Sequence, residues 1–410
     1  MIYALILAGG KGTRLYPLSR ANQPKQFLKV INNKSFLVNT VERITPLIKK
    51  DNIYVITNQD YLSKIRGELS DVNSKNIFTE PENKETATCI GLSAIKLLKK
   101  DNDAVMVVLP SDHHIEGQKA YLDTLSEAIE IANRRRGIVT IGINPTRPET
   151  GYGYIEMGER IPSGAQAYKI ARFTEKPNIE VAKDFLLKGT YLWNSGMFVF
   201  RADVILREIE KYLPKMYKSL MNIYQHIGEE DEEEVTREEY GLIDGISIDF
   251  GVMQRTRKAY VIKGDFKWDD IGSFNALSRY LNEYRNNKIS NNVYIQDCEN
   301  CSIFGGNEKL IIGFGVKDLV VVDAGDVILV MDKDKDLEIA YSFDQYDKSD
   351  YLPQDANDVR DYSNVQHSVH TFYNHTFVGK HILTVGGDYM RDYLMSYQFA
   401  NNGSKHQYTV

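Results

Sequence analysis

Through the first 145 residues, hydrophobic and polar positions fall into repeating blocks. Apolar, β-branched runs at 53–57, 104–109 and 138–143 each follow a short polar break. Each break in turn follows basic residues: Lys49-Lys50 before Asp51-Asn52, Lys99-Lys100 before Asp101-Asn102, and Arg134-Arg135-Arg136 before Gly137. Basic side chains complement the negative carboxyl end of a helix, so each cluster predicts a helix terminus. Short continuous apolar runs are the pattern of strands buried on both faces. Strand–helix alternation at this spacing predicts βαβ units, hence an α/β fold with a mostly parallel central sheet. From about 150 to 275 the strands are more scattered, at 152–157, 168–175 and 192–200, and a helix is predicted over 273–284. After Arg285 the texture changes. Short β-rich pieces at 292–295, 301–304, 310–313, 319–322 and 327–331, separated by turn residues, predict a small β-helix-like unit.

The last 70 residues differ again. They hold 9 of the 26 tyrosines and 5 of the 8 histidines, and aromatic content of that kind argues against simple disorder. No fold is assigned to them. The expected organisation is a domain over 1–285, a β-rich domain over 286–340 and an accessory tail over 341–410. The chain of 410 residues carries a net charge of −6, and 229–239 alone holds eight acids and one base, Arg237. That run is expected on a solvated helix end or loop. An acidic balance disfavours nucleic acid as a partner, because phosphate binding wants a basic surface. Three cysteines suit a reducing compartment. The N-terminal apolar run is too short for a secretion signal, and no run reaches the ~20 apolar residues of a membrane span. A cytoplasmic soluble protein is expected, with oligomeric state, a homo-oligomer included, left open.

The strongest chemical signal is Leu7-Ala8-Gly9-Gly10-Lys11-Gly12-Thr13-Arg14-Leu15, followed by Pro17-Leu18-Ser19-Arg20 and Pro24-Lys25-Gln26-Phe27-Leu28. A buried strand runs straight into a Gly-rich loop, and open α/β sheets bind ligands at the carboxyl ends of their strands. Glycines let backbone N–H groups approach an anion, and Arg14 and Lys25 add fixed positive charge for phosphate oxygens. The order of residues is wrong for a Walker A loop. Leu15 stands where the dinucleotide fingerprint needs its third glycine. Three further segments follow: Glu80-Pro81-Glu82-Asn83-Lys84-Glu85-Thr86-Ala87, Leu109-Pro110-Ser111-Asp112-His113-His114 and Trp268-Asp269-Asp270-Ile271-Gly272-Ser273. Asp112 lies just past an apolar run, where a carboxylate can hold a hard cation such as Mg²⁺, although an aspartate there also serves as a turn residue or helix cap. His113 and His114 are expected to be structural. Cys298 and Cys301 lack the second pair that a zinc site needs.

These segments resemble, in order, the motifs of the sugar-nucleotide pyrophosphorylases of the nucleotidyltransferase family, over roughly 1–335. The Pro-Leu-Ser-Arg and Pro-Lys-Gln-Phe-Leu variant resembles its mannose-1-phosphate guanylyltransferase branch. The resemblance implies a Rossmann-like nucleotidyltransferase fold. It also implies transfer of GMP from GTP to α-D-mannose 1-phosphate, with GDP-mannose and pyrophosphate as products. By the same resemblance, Ala8, Gly9, Gly10, Lys11, Gly12, Thr13, Arg14, Glu80 and Thr86 would bind the nucleotide. Arg14 and Lys25 would engage phosphates, and Asp112 and Asp270 would hold Mg²⁺. Gly153, Glu175, Lys176 and Asn194, in Tyr152-Gly153-Tyr154, Glu175-Lys176-Pro177 and Trp193-Asn194-Ser195, would contact the sugar phosphate. Lys84, Glu85 and Thr88 depart from the Arg, Asn and Pro usual in the segment near the base, which leaves the choice of base open. Two other readings stay open: the same chemistry on another sugar 1-phosphate or nucleotide, and a regulatory or interaction homologue without catalysis.

Overall fold

In a computed structural model, residues 1–335 are described apart from Lys11, Asn307 and the side chain of Thr13; beyond them the backbone forms four antiparallel strands (Leu337–Tyr351, Val359–Phe377, His381–Phe399 and Lys405–Thr409). The side chains of the expected tail lie outside the described residues. The chain divides into two compact units: Met1–Gly10 with Gln26–Ile271, and Lys11–Lys25 with Gly272–Val410.

The first unit runs β1 (Ile2–Leu7), α1 (Phe36–Ile44), β2 (Ile53–Thr57), α2 (Leu62–Glu68), β3 (Ile77–Thr79), α3 (Glu85–Lys100), β4 (Val105–Pro110), β5 (His114–Glu116), α4 (Gln118–Arg135) and β6 (Ile138–Ile143). It continues with β7 (Tyr154–Arg160), β8 (Ala167–Thr174), α5 (Ile179–Lys188), β9 (Tyr191–Arg201), α6 (Ala202–Tyr212), α7 (Pro214–His226), α8 (Glu232–Gly241), β10 (Ala259–Lys263) and β11 (Lys267–Asp269), with a π turn at Asp249–Met253 before β10. Nine strands form one sheet in the order β3-β2-β1-β4-β9-β6-β10-β8-β7. The stretch from β3 to β4 is all parallel. β9 enters antiparallel between β4 and β6, and β8 is antiparallel between β10 and β7. Every other strand therefore points the way β1 does.

Alternate residues of the central strands feed two cores. Ala4 and Ile6 of β1 and Val107 and Leu109 of β4 pack with Leu37, Ile65 and Leu125 from α1, α2 and α4. Tyr3 and Leu5, with Met106 and Val108, pack with Ile90, Ile205, Leu220 and Tyr240 from α3, α6, α7 and α8. Strands buried on both faces thus follow from runs with no polar alternation, and each large side chain buried in them stabilises the fold by about 1.5–3 kcal/mol. Lys99-Lys100 and Arg134-Arg135 do end helices. Lys49-Lys50 do not: α1 stops at Ile44, and Pro46, two residues on, has no N–H to donate to the helix ladder. The acids from Glu232 to Glu234 form the first turn of α8, where the helix dipole favours them. No helix among the described residues is long and apolar enough to cross a membrane.

In the second unit, α9 (Phe274–Ser278) is capped by the Ser273 hydroxyl. This replaces the longer helix predicted over 273–284: residues 282–284 pair as β12 (Asn282–Tyr284) with β13 (Asn287–Ile289), across a turn in which Arg285 and Asn286 take φ of 47° and 62°. There follow β14 (Val293–Gln296), β15 (Ser302–Phe304), β16 (Ile311–Phe314), β17 (Leu319–Asp323) and β18 (Ile328–Asp332). β13, β15 and β17 stack in parallel as one face, and β14 pairs with β16 as another. Ile295, Cys301 and Ile303 fill the space between the faces. The corners fall at Asn292, Asp297, Asn300 and Asp318, all at positive φ, the conformation that short polar side chains tolerate best. The Asn287 amide braces one corner by accepting from the Cys301 amide at 2.9 Å and donating to the Cys298 carbonyl at 3.0 Å.

Candidate active site

β1, β2 and β4 end side by side, with Leu7 level with Ile56 and Pro110. The Ala8 carbonyl just beyond accepts from the Thr57 hydroxyl at 3.0 Å and the Gln26 amide at 3.1 Å, which fixes the start of the Gly-rich loop. Glu80 is buried beside it. Its Oε2 accepts from the Tyr240 hydroxyl at 2.8 Å and from Cys89 Sγ at 2.9 Å. A Cβ at position 9 would stand 2.9 Å from its Oε1, so the backbone at Gly9 passes directly over that oxygen. Burial, reinforced by the Glu80 charge, pushes the Cys89 thiol well up, so it stays a neutral donor. Glu85 opens α3 at φ +66°, and the Thr86 hydroxyl accepts from the Ile248 amide at 2.9 Å.

The rest of the Gly-rich segment belongs to the second unit. Gly12 has φ +58°, and a Cβ there would stand 2.5 Å from Lys25 Cβ, so neither the conformation nor the space admits another residue. The Ser19 hydroxyl donates to the Gly12 carbonyl. Lys25 is buried and Arg14 is exposed on the single turn Thr13–Leu15. Arg20 forms a two-pronged ion pair with Asp326 at 2.6 and 2.5 Å. Lys11, expected to bind nucleotide, lies outside the described residues, as does the side chain of Thr13.

Within the first unit the segments that carry Asp112 and Asp270 flank one pair of strands. β5 and β11 are antiparallel, with His114 opposite Asp269. Asp270 is thus one residue beyond the last pair, and Asp112 two residues before it on the facing strand. Asp270 Oδ1 accepts from the Tyr152 hydroxyl at 2.7 Å. Burial, reinforced by the Asp270 charge, pushes the Tyr152 hydroxyl up, so it stays a donor. Tyr152 packs edge-on against Trp193 and Trp268, and Trp268 Nε1 donates to His113 Nδ1 at 3.1 Å. His113 therefore serves as a brace beside Asp112. Asp269 is buried and its carboxylate accepts from the Ile271 amide at 2.9 Å. That bond holds a turn in which Ile271, a β-branched residue, has φ +47°, a conformation that costs of order 1–3 kcal/mol.

The remaining candidates form a second cluster of the same unit. Gly153 faces Glu175 so closely that a Cβ would stand 2.4 Å from Glu175 Oε2, an oxygen that is buried with no hydrogen-bond partner. Lys176 Nζ lies 3.6 Å from Glu175 Oε1. Asn194 Oδ1 accepts from the Thr140 hydroxyl and the Gly196 amide, both at 3.2 Å, which forces Nδ2 toward Asp249 Oδ1 at 2.9 Å. Burial pushes the Glu175 carboxyl up, against the pull of Lys176. Burial and the Glu175 charge push Asp249 up to about 7, against the Asn194 hydrogen bond.

Residues 3–287 match the nucleotidyl transferase family, and residues 290–339 match the MannoseP isomerase/GMP-like beta-helix domain. The chain belongs to the nucleotidyl transferase family. A mannose-1-phosphate guanylyltransferase of Klebsiella pneumoniae is 35% identical to it over 83% of this chain and 72% of its own. The mannose-1-phosphate guanylyltransferase RfbM of Salmonella typhimurium is 36% identical over 84% of this chain and 72% of its own. A crystal structure from Thermus thermophilus, described as a mannose-1-phosphate geranyltransferase, is 33% identical and superposes with a TM-score of 0.73 over 81% of this chain and 95% of its own.

Asp249, Tyr152, Cys89 and Tyr240 were not among the residues expected from sequence. Asp249 sits in Ser247-Ile248-Asp249-Phe250-Gly251 with no basic neighbour or strand end to mark it. Tyr240 closes an acidic stretch that reads as plain solvated helix. Tyr152 did carry a signal, since it stands next to Gly153 in a segment already singled out.

Proposed function

We propose that this chain transfers GMP from GTP to α-D-mannose 1-phosphate, releasing pyrophosphate and leaving GDP-mannose. The observation that carries the reading is the extent of likeness to guanylyltransferases of that specificity, 35% identity over 83% of the chain. The buried Glu80 carboxylate supports the choice of base, because an acceptor-only group suits the two neighbouring donors of guanine and none of adenine's ring nitrogens. The carboxyl groups of Glu175 and Asp249 beside the ammonium of Lys176 support a sugar phosphate, whose hydroxyls want hydrogen-bond partners and whose phosphate wants a cation.

Asp112 and Asp270 fit a magnesium ion. Both offer hard carboxylate oxygens. Among the described residues no group of three or more histidines, cysteines, aspartates or glutamates is placed to cage a metal. Magnesium takes one or two carboxylates and completes its shell with phosphate oxygens and water. When bound, the ion supplies neutralising charge and a template for the reacting phosphates.

The chain's own residues do the rest by positioning and charge. A phosphate oxygen of the sugar substrate attacks the α-phosphorus of GTP in line, the new P–O bond forms as the bond to the β-phosphate oxygen breaks, and pyrophosphate leaves. Backbone N–H groups of the Gly-rich segment, with Arg14 and Lys25, carry the triphosphate and the charge on the leaving pyrophosphate. Lys176 orients the attacking phosphate. Glu80 holds the base, with its free rotation removed by Tyr240 and Cys89. No covalent enzyme intermediate is needed, and a cytoplasmic enzyme fed by soluble substrates is the setting this chemistry implies. The test is pyrophosphate release across a grid of nucleoside triphosphates and sugar 1-phosphates. The reading expects the GTP and mannose 1-phosphate pair to lead by at least about tenfold in kcat/KM, which is about 1.4 kcal/mol of discrimination. A different leading pair would replace the substrates, and no release from any pair would end the reading.

A further inference from the structure

Asn194 lies between two carboxyl groups, and its hydrogen bonds decide what each of them can do. Its Oδ1 already accepts from Thr140 and Gly196. Its Nδ2 is committed to Asp249 Oδ1 at 2.9 Å, so the Asn194 amide holds the Asp249 carboxyl in one orientation. On the other side, Glu175 Oε2 is buried beside Gly153 without a partner. A buried acceptor of that kind calls for a donor that arrives with a ligand. Among the described residues the cation acting on both carboxyl groups is Lys176, whose side chain is 60% exposed and whose Nζ sits 3.6 Å from Glu175 Oε1. The charged groups acting on Asp249 are Glu175, which opposes its ionisation, and Lys176, which favours it; the Asn194 amide and the local backbone favour it as well.

We infer that Asp249 is a sugar-reading residue of this site, binding a hydroxyl of the sugar 1-phosphate as a neutral, proton-donating carboxyl while Glu175 accepts from a second hydroxyl. The inference rests on the reading of this site as a sugar-phosphate subsite. Its chemistry follows from charge balance. A sugar 1-phosphate brings an anion into a cluster with two carboxyls and one ammonium, and two ionised carboxylates would repel it. One ionised and one neutral carboxyl give an acceptor and a donor for two hydroxyls. Burial and the Glu175 charge supply the neutral form near pH 7, because they push Asp249 up to about that value. The sign follows directly: below that pH Asp249 carries its proton and can donate, and above it the site loses the donor and gains a negative charge.

The experiment is steady-state kinetics of the full chain and of Asp249→Asn from about pH 6 to pH 8.5, with each substrate varied at saturating partner. The sugar phosphate itself titrates in both proteins, so the readout is the ratio of the wild-type KM to the variant KM at each pH. Asparagine at 249 keeps an acceptor for the Asn194 amide and a donor for the sugar, and it does not ionise. The expected result is a ratio for mannose 1-phosphate that rises about tenfold per pH unit once pH passes the pKa, since only the protonated form binds well. The ratio for GTP should stay flat. Asp249→Ala, checked for a cooperative melt, should raise KM for the sugar phosphate at every pH without moving KM for GTP. A flat ratio with product still formed overturns the inference and leaves the reaction assignment standing. Absence of product from the wild-type chain removes both.

Discussion

A single methyl group at position 153 separates a sugar subsite from a merely structural turn. In Gly153→Ala the new Cβ would stand 2.4 Å from Glu175 Oε2 and 3.3 Å from Asn194 Cβ. Asn194 is at the edge of tolerance. Ordinary contact begins near 3.4 Å, so the Glu175 carboxylate must retreat by about 1 Å. Retreat is possible, because the carboxylate is the end of a side chain and Oε2 has no hydrogen bond to lose. The fold should therefore survive, while the acceptor that Glu175 presents to the sugar moves off its mark. A misplacement of about 1 Å at a reacting centre costs roughly 10²-fold in rate, or about 2.7 kcal/mol of barrier. The assay is kcat/KM for mannose 1-phosphate at saturating GTP, alongside GTP binding by calorimetry and a thermal melt. The expected result is a ~100-fold fall for the sugar phosphate with GTP affinity within about twofold of the parent chain. A folded variant whose kcat/KM for the sugar phosphate stays within about threefold would refute the placement of Glu175 against the substrate.

Three further outcomes follow from the same geometry. Asp112→Asn and Asp270→Asn should each lower kcat by ~10² or more with the melt unchanged; near-normal turnover of either folded variant at saturating magnesium would remove that residue from the pair. Tyr240→Phe removes one of the two donors on Glu80 Oε2, and a hydrogen bond to a charged group is worth about 1.5–3 kcal/mol. KM for GTP should rise at least tenfold while KM for mannose 1-phosphate holds, as initial-rate kinetics will report. Glu85→Asn should raise the melting temperature, since residue 85 sits at φ +66°, where asparagine is tolerated and a longer side chain costs roughly 1 kcal/mol; an unchanged or lower melt in calorimetry would deny the strain.

The sheet was legible because its strands are buried on both faces. Runs such as Val105–Pro110 contain no polar alternation and end at turn residues, and the β-helix faces repeat at near-constant spacing. What escaped was decided by single residues acting over distance. α1 stops ahead of Pro46 although basic residues follow it, and the positive φ of Arg285 and Asn286 turns a helical pattern at 282–284 into a hairpin. In the candidate site, Asp112 just past a strand end and Gly153 as a glycine announced themselves, whereas Asn194, inside β9, was expected only through the resemblance. Asp249, Tyr240 and Cys89 act from a π turn and from two helices, where local sequence carries no trace of the partner that gives them meaning. Their hydrogen bonds cross 55, 160 and 9 residues of chain.

The most direct test of the central claim is a ³¹P NMR time course of the full chain with GTP, mannose 1-phosphate and magnesium. A single in-line transfer of GMP predicts that the signals of both substrates fall together while GDP-mannose and pyrophosphate rise in equal amounts, with no guanylylated protein accumulating. Unchanged spectra, or GTP decaying to GDP and inorganic phosphate with mannose 1-phosphate untouched, would contradict it.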